Sequence, residues 1–294
     1  MKIEFYILLS FVAAFSFALS SLSSKIASKH TIKNNWVLLF YYYITVIPFL
    51  VLLPLIFDIS IPSTGWIYIF LYSIAFFIGN IFFTIAIYKL DASTFTPFFQ
   101  LQSAFIAILA FVFLKEHLPL VSYIPIAVMI FGSILVSLDE KMSLKSYISI
   151  ATLLIIFQQL FHASSNIFAG FALKSMNSFT FMFWGDLIAS LLALCIIPFI
   201  GFKKLKVSFT QIKPLFVGAL FSTIGATALF TAFQTNVTIS SALSLLTAPI
   251  VLILSILASV FIPNLLEHHT RKVYIIRIMG VVLILISAIK LATI

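Results

Sequence analysis

The sequence predicts an all-α integral membrane protein, with ten transmembrane helices arranged as two inverted five-helix repeats. Three observations carry this: composition, run length and a duplication. Of 294 residues, 63% are hydrophobic and 9% charged, where soluble domains average about 25% charged and 45–50% apolar. The apolar residues gather in runs of about 20, the length a helix needs to cross roughly 30 Å of hydrocarbon. They lack the alternation of barrel strands, and in lipid a helix satisfies its backbone polar groups within its own segment.

In chain order the predicted spans are 5–27, 36–57, 66–88, 95–114, 120–138, 147–173, 181–200, 214–233, 241–261 and 273–291. The first run follows Lys2 but ends without an Ala-x-Ala cleavage site, so it reads as a retained span rather than a signal peptide. The connections are short and polar, holding Asp58, Lys89 with Asp91, Lys115 with Glu116, and Lys203 to Lys206.

The duplication emerges on shifting the chain by 148 residues. Asp91-Ala92-Ser93 then falls on Ile239-Ser240-Ser241, Phe113-Leu114 on Phe261-Ile262, and Phe131-Gly132 on Met279-Gly280. Ser23-Ser24-Lys25-Ile26 similarly matches Ser164-Ser165-Asn166-Ile167. The division is into residues 1–140 and 141–294. Five spans is an odd number, so the second unit is inverted relative to the first, a common plan for secondary transporters. On the side of the termini lie four of the 17 Lys and Arg residues, and thirteen lie opposite. The positive-inside rule therefore puts both termini outside.

Composition also excludes function classes. The formal charge of +9 resides mostly in short connections, where Lys and Arg set topology and meet lipid headgroups, so no nucleic-acid partner is expected. Cys195 is the sole cysteine. It precludes an intramolecular disulfide and a cysteine-based metal site, and reads as a small core residue. No Gly-rich phosphate loop, in-span His pair or acidic metal-diphosphate cluster is present. No cofactor, metal site, ATP-driven pump or other enzyme is therefore expected. A membrane-embedded lipid-modifying enzyme is the alternative of another class, and it would need clustered acids, His or metal ligands near one interface. His268-His269, beside Glu267 and Arg271, reads as a charged connection.

Polar residues inside apolar spans usually face a bundle interior or a cavity, and they mark the candidate site. Gln159, His162 and Asn166 follow a three-then-four spacing and share one face of the sixth span, with Gln158 and Ser165 at its margin. Asn80, Thr84 and Tyr88 recur every four residues in the third span, as Thr223, Thr227 and Thr231 do in the eighth. These stripes are expected to face one another across a cavity. Threonine also bonds its own backbone one turn earlier, and Gln and Asn also serve as interhelical glue. Gln100 is preferred over Gln102 as an inward residue of the fourth span. The substrate-binding candidates are thus Asn80, Thr84, Gln100, Gln159, His162, Asn166, Thr227 and Thr231. Candidates for coupling are His162, whose ordinary pKa is about 6.5, and Asp186, an acid inside the seventh span that reaches the interface or pairs with a Lys. Ser16, Ser20, Ser24 and Ser28 form a small-residue ridge on the first span, and Gly218, Ser222 and Ala226 another on the eighth, suited to close packing.

Segments 86–137 and 232–287 resemble the ten-helix, EamA-type permeases of the drug/metabolite transporter superfamily. The resemblance rests on a small-residue entry to the fourth helix, the Leu-x-Glu turn at Leu114-Lys115-Glu116 and a Gly-containing fifth helix with Gly132. Lys115 stands where the family often has Gly, and Pro263-Asn264 replaces the turn in the second copy. The resemblance implies a central cavity lined by the first, third, fourth, sixth, eighth and ninth helices. It also implies structural fifth and tenth helices, sometimes a homodimer interface, and cytoplasmic termini, against the charge count. The resulting expectation is a multi-pass protein of the cell (inner or plasma) membrane. It moves a small polar metabolite, an amino acid or related compound, by alternating access. Within transport, the 34 Phe residues make efflux of hydrophobic or cationic drugs the second reading.

Overall fold

Without water to complete backbone hydrogen bonds, long apolar runs fold as helices. The computed structural model describes residues 4–87, 101–137, 150–259 and 270–293, and no strand occurs among the described residues. The helices are α1 (Phe5–Ile26), α2 (Asn35–Leu55), α3 (Trp66–Ile87), α4 (Leu101–Leu114) and α5 (Leu120–Ser137). They continue with α6 (Ile150–Ala172), α7 (Ser178–Ile200), α8 (Phe209–Phe233), α9 (Val237–Ala258) and α10 (Arg271–Ala292). Among the described residues, seven of these are long and apolar enough to cross a membrane: α1, α2, α3, α7, α8, α9 and α10. α4 and α5 are shorter apolar helices.

Several helices begin earlier than the apolar runs because a polar cap precedes each run. Asn177 accepts a hydrogen bond from the Thr180 backbone N–H at 2.7 Å and starts α7. Asn236 accepts one from Ile239 N at 2.7 Å and starts α9. Ser208 and Gln211 form a capping box that starts α8, leaving Pro214, the expected first residue, inside the helix. Side-chain oxygens satisfy the free N–H groups of a first turn in this way. α2 is interrupted at Thr45 and Val46 just before Pro48, and α7 tightens to a 3₁₀ turn over Ala193–Ile196 just before Pro198. Proline removes a donor and crowds the preceding turn.

Small residues decide which helices pack. α1 runs along α8, α3 along α6, and α5 along α10, with lesser contacts of α4 on α6 and α9 on α1. In the first pair, a Cβ built on Gly218 would stand 3.2 Å from Ser23 Cβ and 3.4 Å from Ser20 O, and one on Gly225 would stand 3.2 Å from Ser16 Cβ. The two small-residue ridges therefore meet each other. In the α5–α10 pair the backbones touch at Gly132 and Gly280, where a Cβ on Gly132 would lie 2.9 Å from Gly280 O. These two glycines are equivalent under the 148-residue shift. The far side of α10 presents Ile275, Ile278, Val282, Leu285 and Ile289 outward, an apolar stripe for lipid chains.

At the end of α4 the chain turns sharply. Lys115 has φ 60°, ψ 32°, the left-handed conformation, which explains why glycine suits that position. The turn aims Glu116 at the start of α9, where its carboxylate accepts hydrogen bonds from Val237 N at 2.8 Å, Thr238 N at 3.0 Å and Thr238 Oγ1 at 2.7 Å. An anion at a helix N-terminus meets unbonded N–H groups and the positive end of the dipole. This tie joins the first half of the chain to the second.

Three outcomes are expected from thermal melting in detergent. Gly280→Leu forces α5 and α10 apart and costs on the order of 1–3 kcal/mol. Glu116→Ala leaves two N–H groups of α9 unbonded and costs about 1–2 kcal/mol, whereas Lys115→Gly relieves the left-handed strain and raises the melting temperature. An unshifted melt for Gly280→Leu would contradict the close crossing.

Candidate functional site

One face of α3 organises the interior. Tyr72, Phe76, Asn80 and Thr84 recur every four residues and so line a single ridge. Each member reaches a different neighbour. The Tyr72 hydroxyl donates to Asp186 Oδ1 on α7 at 3.1 Å. Phe76 stacks on Tyr72 with centroids 5.7 Å apart and meets the His162 ring of α6 at 5.2 Å. Asn80 Nδ2 donates to the Tyr43 hydroxyl of α2 at 2.8 Å. The Thr84 carbonyl accepts from Asn35 Nδ2, at the start of α2, at 2.7 Å. Tyr72, Asn80 and Thr84 are buried, and Phe76 is half-buried.

The ridge can approach α6 this closely because Gly79 stands beside it. A Cβ there would lie 2.8 Å from His162 Nε2, so the absent side chain is what seats the imidazole. Among the described residues, His162 Nε2 is buried without a hydrogen-bond partner. One turn earlier Gln159 is fully buried; its Nε2 donates to Gln158 Oε1 at 2.8 Å, and its own Oε1 lacks a partner among the described residues. Asn166 is half-buried one turn beyond His162. The expected α6 stripe is thus an inward face.

Asp186 lies eight residues into α7, about 12 Å along the helix from its first residue, and is half-buried. Its hydrogen bond comes from the Tyr72 phenol, where a lysine or the interface had been expected. The neighbouring Gly185 leaves room for this: a Cβ on it would stand 2.9 Å from Tyr72 Cε1.

The eighth-span threonines go elsewhere. Thr227 Oγ1 donates to Thr223 O at 2.8 Å and approaches Met182 Sδ of α7 at 3.1 Å. Thr231 Oγ1 donates to Thr227 O at 2.7 Å and pairs with the Ser178 hydroxyl at 2.7 Å. Their hydroxyls serve the α7–α8 seam rather than facing Asn80. α8 reaches the ridge through Phe230, which meets Tyr72 edge-on at 5.7 Å. Gln100 and Tyr88 lie outside the described residues.

The structure therefore gathers Asn80, His162 and Asp186 around an aromatic ridge, with Gln159 and Asn166 one turn either side of His162. Sequence reasoning missed Tyr43, Tyr72 and Phe76, since buried aromatic residues read as core. The four-residue spacing that marked Asn80 and Thr84 extends back to Phe76 and Tyr72 and was the available signal. An apolar crevice of about 470 Å³ opens between α2, α3 and α7, lined by Trp36, Phe77, Ile81, Ile196, Phe199 and Cys195, which is exposed where a core position was expected.

Gly79→Ala is expected to displace His162 or part α3 from α6, costing about 1–3 kcal/mol of stability. A melting curve indistinguishable from that of the unaltered protein would show that the imidazole is not seated against Gly79.

Comparison with known proteins adds the following. Residues 4–138 match the model of the EamA-like transporter family. No curated protein matches the sequence. Among 27 matching solved chains, one crystal structure of a protein superposes with a TM-score of 0.74 at 12% identity. It covers 97% of this chain and 95% of its own. At that identity the likeness is one of fold.

Proposed function

Residues 4–138 belong to the EamA-like transporter family, and from that premise we propose that the whole chain is a secondary transporter of a small polar metabolite, an amino acid or a related compound. The family is one of membrane transporters, and the apolar helices make this a multi-pass membrane protein. Our reading adds that the two halves, 1–140 and 141–294, are inverted five-helix repeats that rock against each other, and that the protein resides in the cell membrane.

The packing supports the repeat reading. Exchanging the halves maps helices one to five onto six to ten. The pair α1 with α8 then becomes α6 with α3, and α9 on α1 becomes α4 on α6; all four contacts occur. The α5–α10 pair maps onto itself at Gly132 and Gly280, and the broken helices α2 and α7, at Pro48 and Pro198, are counterparts. Interrupted helices are a recurrent device of such transporters.

The observation that carries the solute reading is the α3 ridge. It joins an amide, an imidazole and a carboxylate from three helices inside the span-forming bundle. Polar side chains at that depth are costly and mark a pathway more often than a scaffold. Sparse charge argues against a multivalent ion, while amides, hydroxyls and ring faces suit a zwitterion or a neutral solute.

The test is uptake and counterflow of a pooled, labelled metabolite set in proteoliposomes, with and without a pH gradient. One solute class should accumulate, and the His162→Ala, Asn166→Ala double variant should lose at least tenfold in rate while melting normally. Movement of no solute by folded protein would overturn the carrier reading, and an unaffected double variant would remove the α6 face from the site.

A further inference from the structure

Among the described residues Asp186 is the one acid inside a helix of the bundle, set beside the rings of Tyr72 and Phe76, and what recognises such a site is a cationic head on a compact body. We propose that Asp186 is the docking point for the ammonium group of an organic amine, held between the carboxylate and the aromatic ridge of Tyr72 and Phe76. The inference rests on the transporter reading and names the feature its solute must carry.

The argument begins with the bond that Asp186 makes. Tyr72 donates to Oδ1 at 3.1 Å, and a phenol is neutral: it orients the carboxylate without cancelling its charge. A carboxylate taken out of water without a cationic partner is strongly disfavoured, and in membranes such groups face an interior path. Asp186 keeps part of its surface accessible, and the Tyr72 bond engages Oδ1; Oδ2 is the atom assigned to the ammonium.

The surroundings select the class of donor. Tyr72 and Phe76 stack nearly parallel at 7°, Tyr43 meets Phe76 edge-on at 6.1 Å, and Tyr42 meets Tyr43 at 5.5 Å. Ring faces attract an alkylammonium and remain compatible with the methylene groups attached to it. A metal ion requires several oxygen or nitrogen ligands, and no three His, Cys, Asp or Glu side chains gather among the described residues. His162, 5.2 Å from the Phe76 ring, and Asn80, one turn further along the ridge, suit the polar remainder of an amino compound.

The test uses purified full-length protein and three probes of one body: phenethylamine with an ammonium only, phenylalanine as a zwitterion, and 3-phenylpropionate with no ammonium. Binding is read by calorimetry in detergent, and exchange by counterflow in proteoliposomes. The expected result is binding of at least one ammonium-bearing probe, no binding of 3-phenylpropionate, and a loss of tenfold or more in affinity in Asp186→Asn. Asp186→Glu should recover part of it, which shows that the charge matters beyond the fold. Equal binding of 3-phenylpropionate, undiminished affinity in a folded Asp186→Asn, or failure of both ammonium probes would each overturn the proposal. The pooled metabolite assay then decides separately whether the chain carries another class of solute.

Discussion

A polar group inside a bilayer must find its partner within the protein, and the interior of this bundle follows from where those partners are. Serine and threonine meet the requirement locally. Ser10, Ser23, Thr45, Ser73, Thr227 and Thr231 each bond a carbonyl four residues earlier on their own helix. Longer side chains reach across: Asn35 to the Thr84 carbonyl, Asn80 to Tyr43, Tyr72 to Asp186. These longer links converge on α3, which is why one ridge of that helix touches α2, α6 and α7 through polar or ring contacts and α8 through Phe230.

Close approach is the second condition. Van der Waals packing drives association between helices in lipid, so interfaces need small residues. The three principal pairings each have one. Gly218 and Gly225 face the serine ridge of α1, Gly79 admits His162 between α3 and α6, and Gly132 faces Gly280. The polar links and the glycine contacts are thus two aspects of one arrangement. Gly79 lets α6 come near enough for its imidazole to stand against Phe76, and Gly185 does the same for Tyr72 beside Asp186.

Much of this was legible in the sequence, because the physics that makes a span is written in consecutive residues. Run length and low charge gave the helices, and the α6 stripe at 159, 162 and 166 gave an inward face. Helix starts were misjudged at α8 and α9, since hydropathy marks where apolar residues begin while Ser208 and Asn236 cap the helix outside that run. The role of Glu116 was hidden for a different reason: its partners, Val237 and Thr238, are more than a hundred residues away, and local spacing carries no record of a cap supplied in trans. The threonines of α8 show the converse. Their period of four was read as a facing stripe, but a hydroxyl can satisfy itself one turn back, and the remaining contacts went to Ser178 and Met182.

What the sequence also withheld is which polar atoms stay unmatched once the helices pack. Among the described residues, buried side-chain atoms without a hydrogen-bond partner include His162 Nε2, Gln159 Oε1, Thr223 Oγ1 and Asn35 Oδ1. A native interior tolerates few such groups, and each one calls for an explanation. Two of these, His162 Nε2 and Gln159 Oε1, lie on one face of α6, where His162 stands beside Phe76, and the hydroxyls of Ser240, Ser241 and Ser255 on α9 are likewise unmatched among the described residues. In the same bundle, the serine and threonine hydroxyls of α1, α3 and α8 named above are bonded to their own backbone. Unmatched capacity therefore remains on α8 and α9 as well as on α6, and what sets the α6 pair apart is that His162 stands against Phe76 of the α3 ridge, the face that the transporter reading gives to the solute.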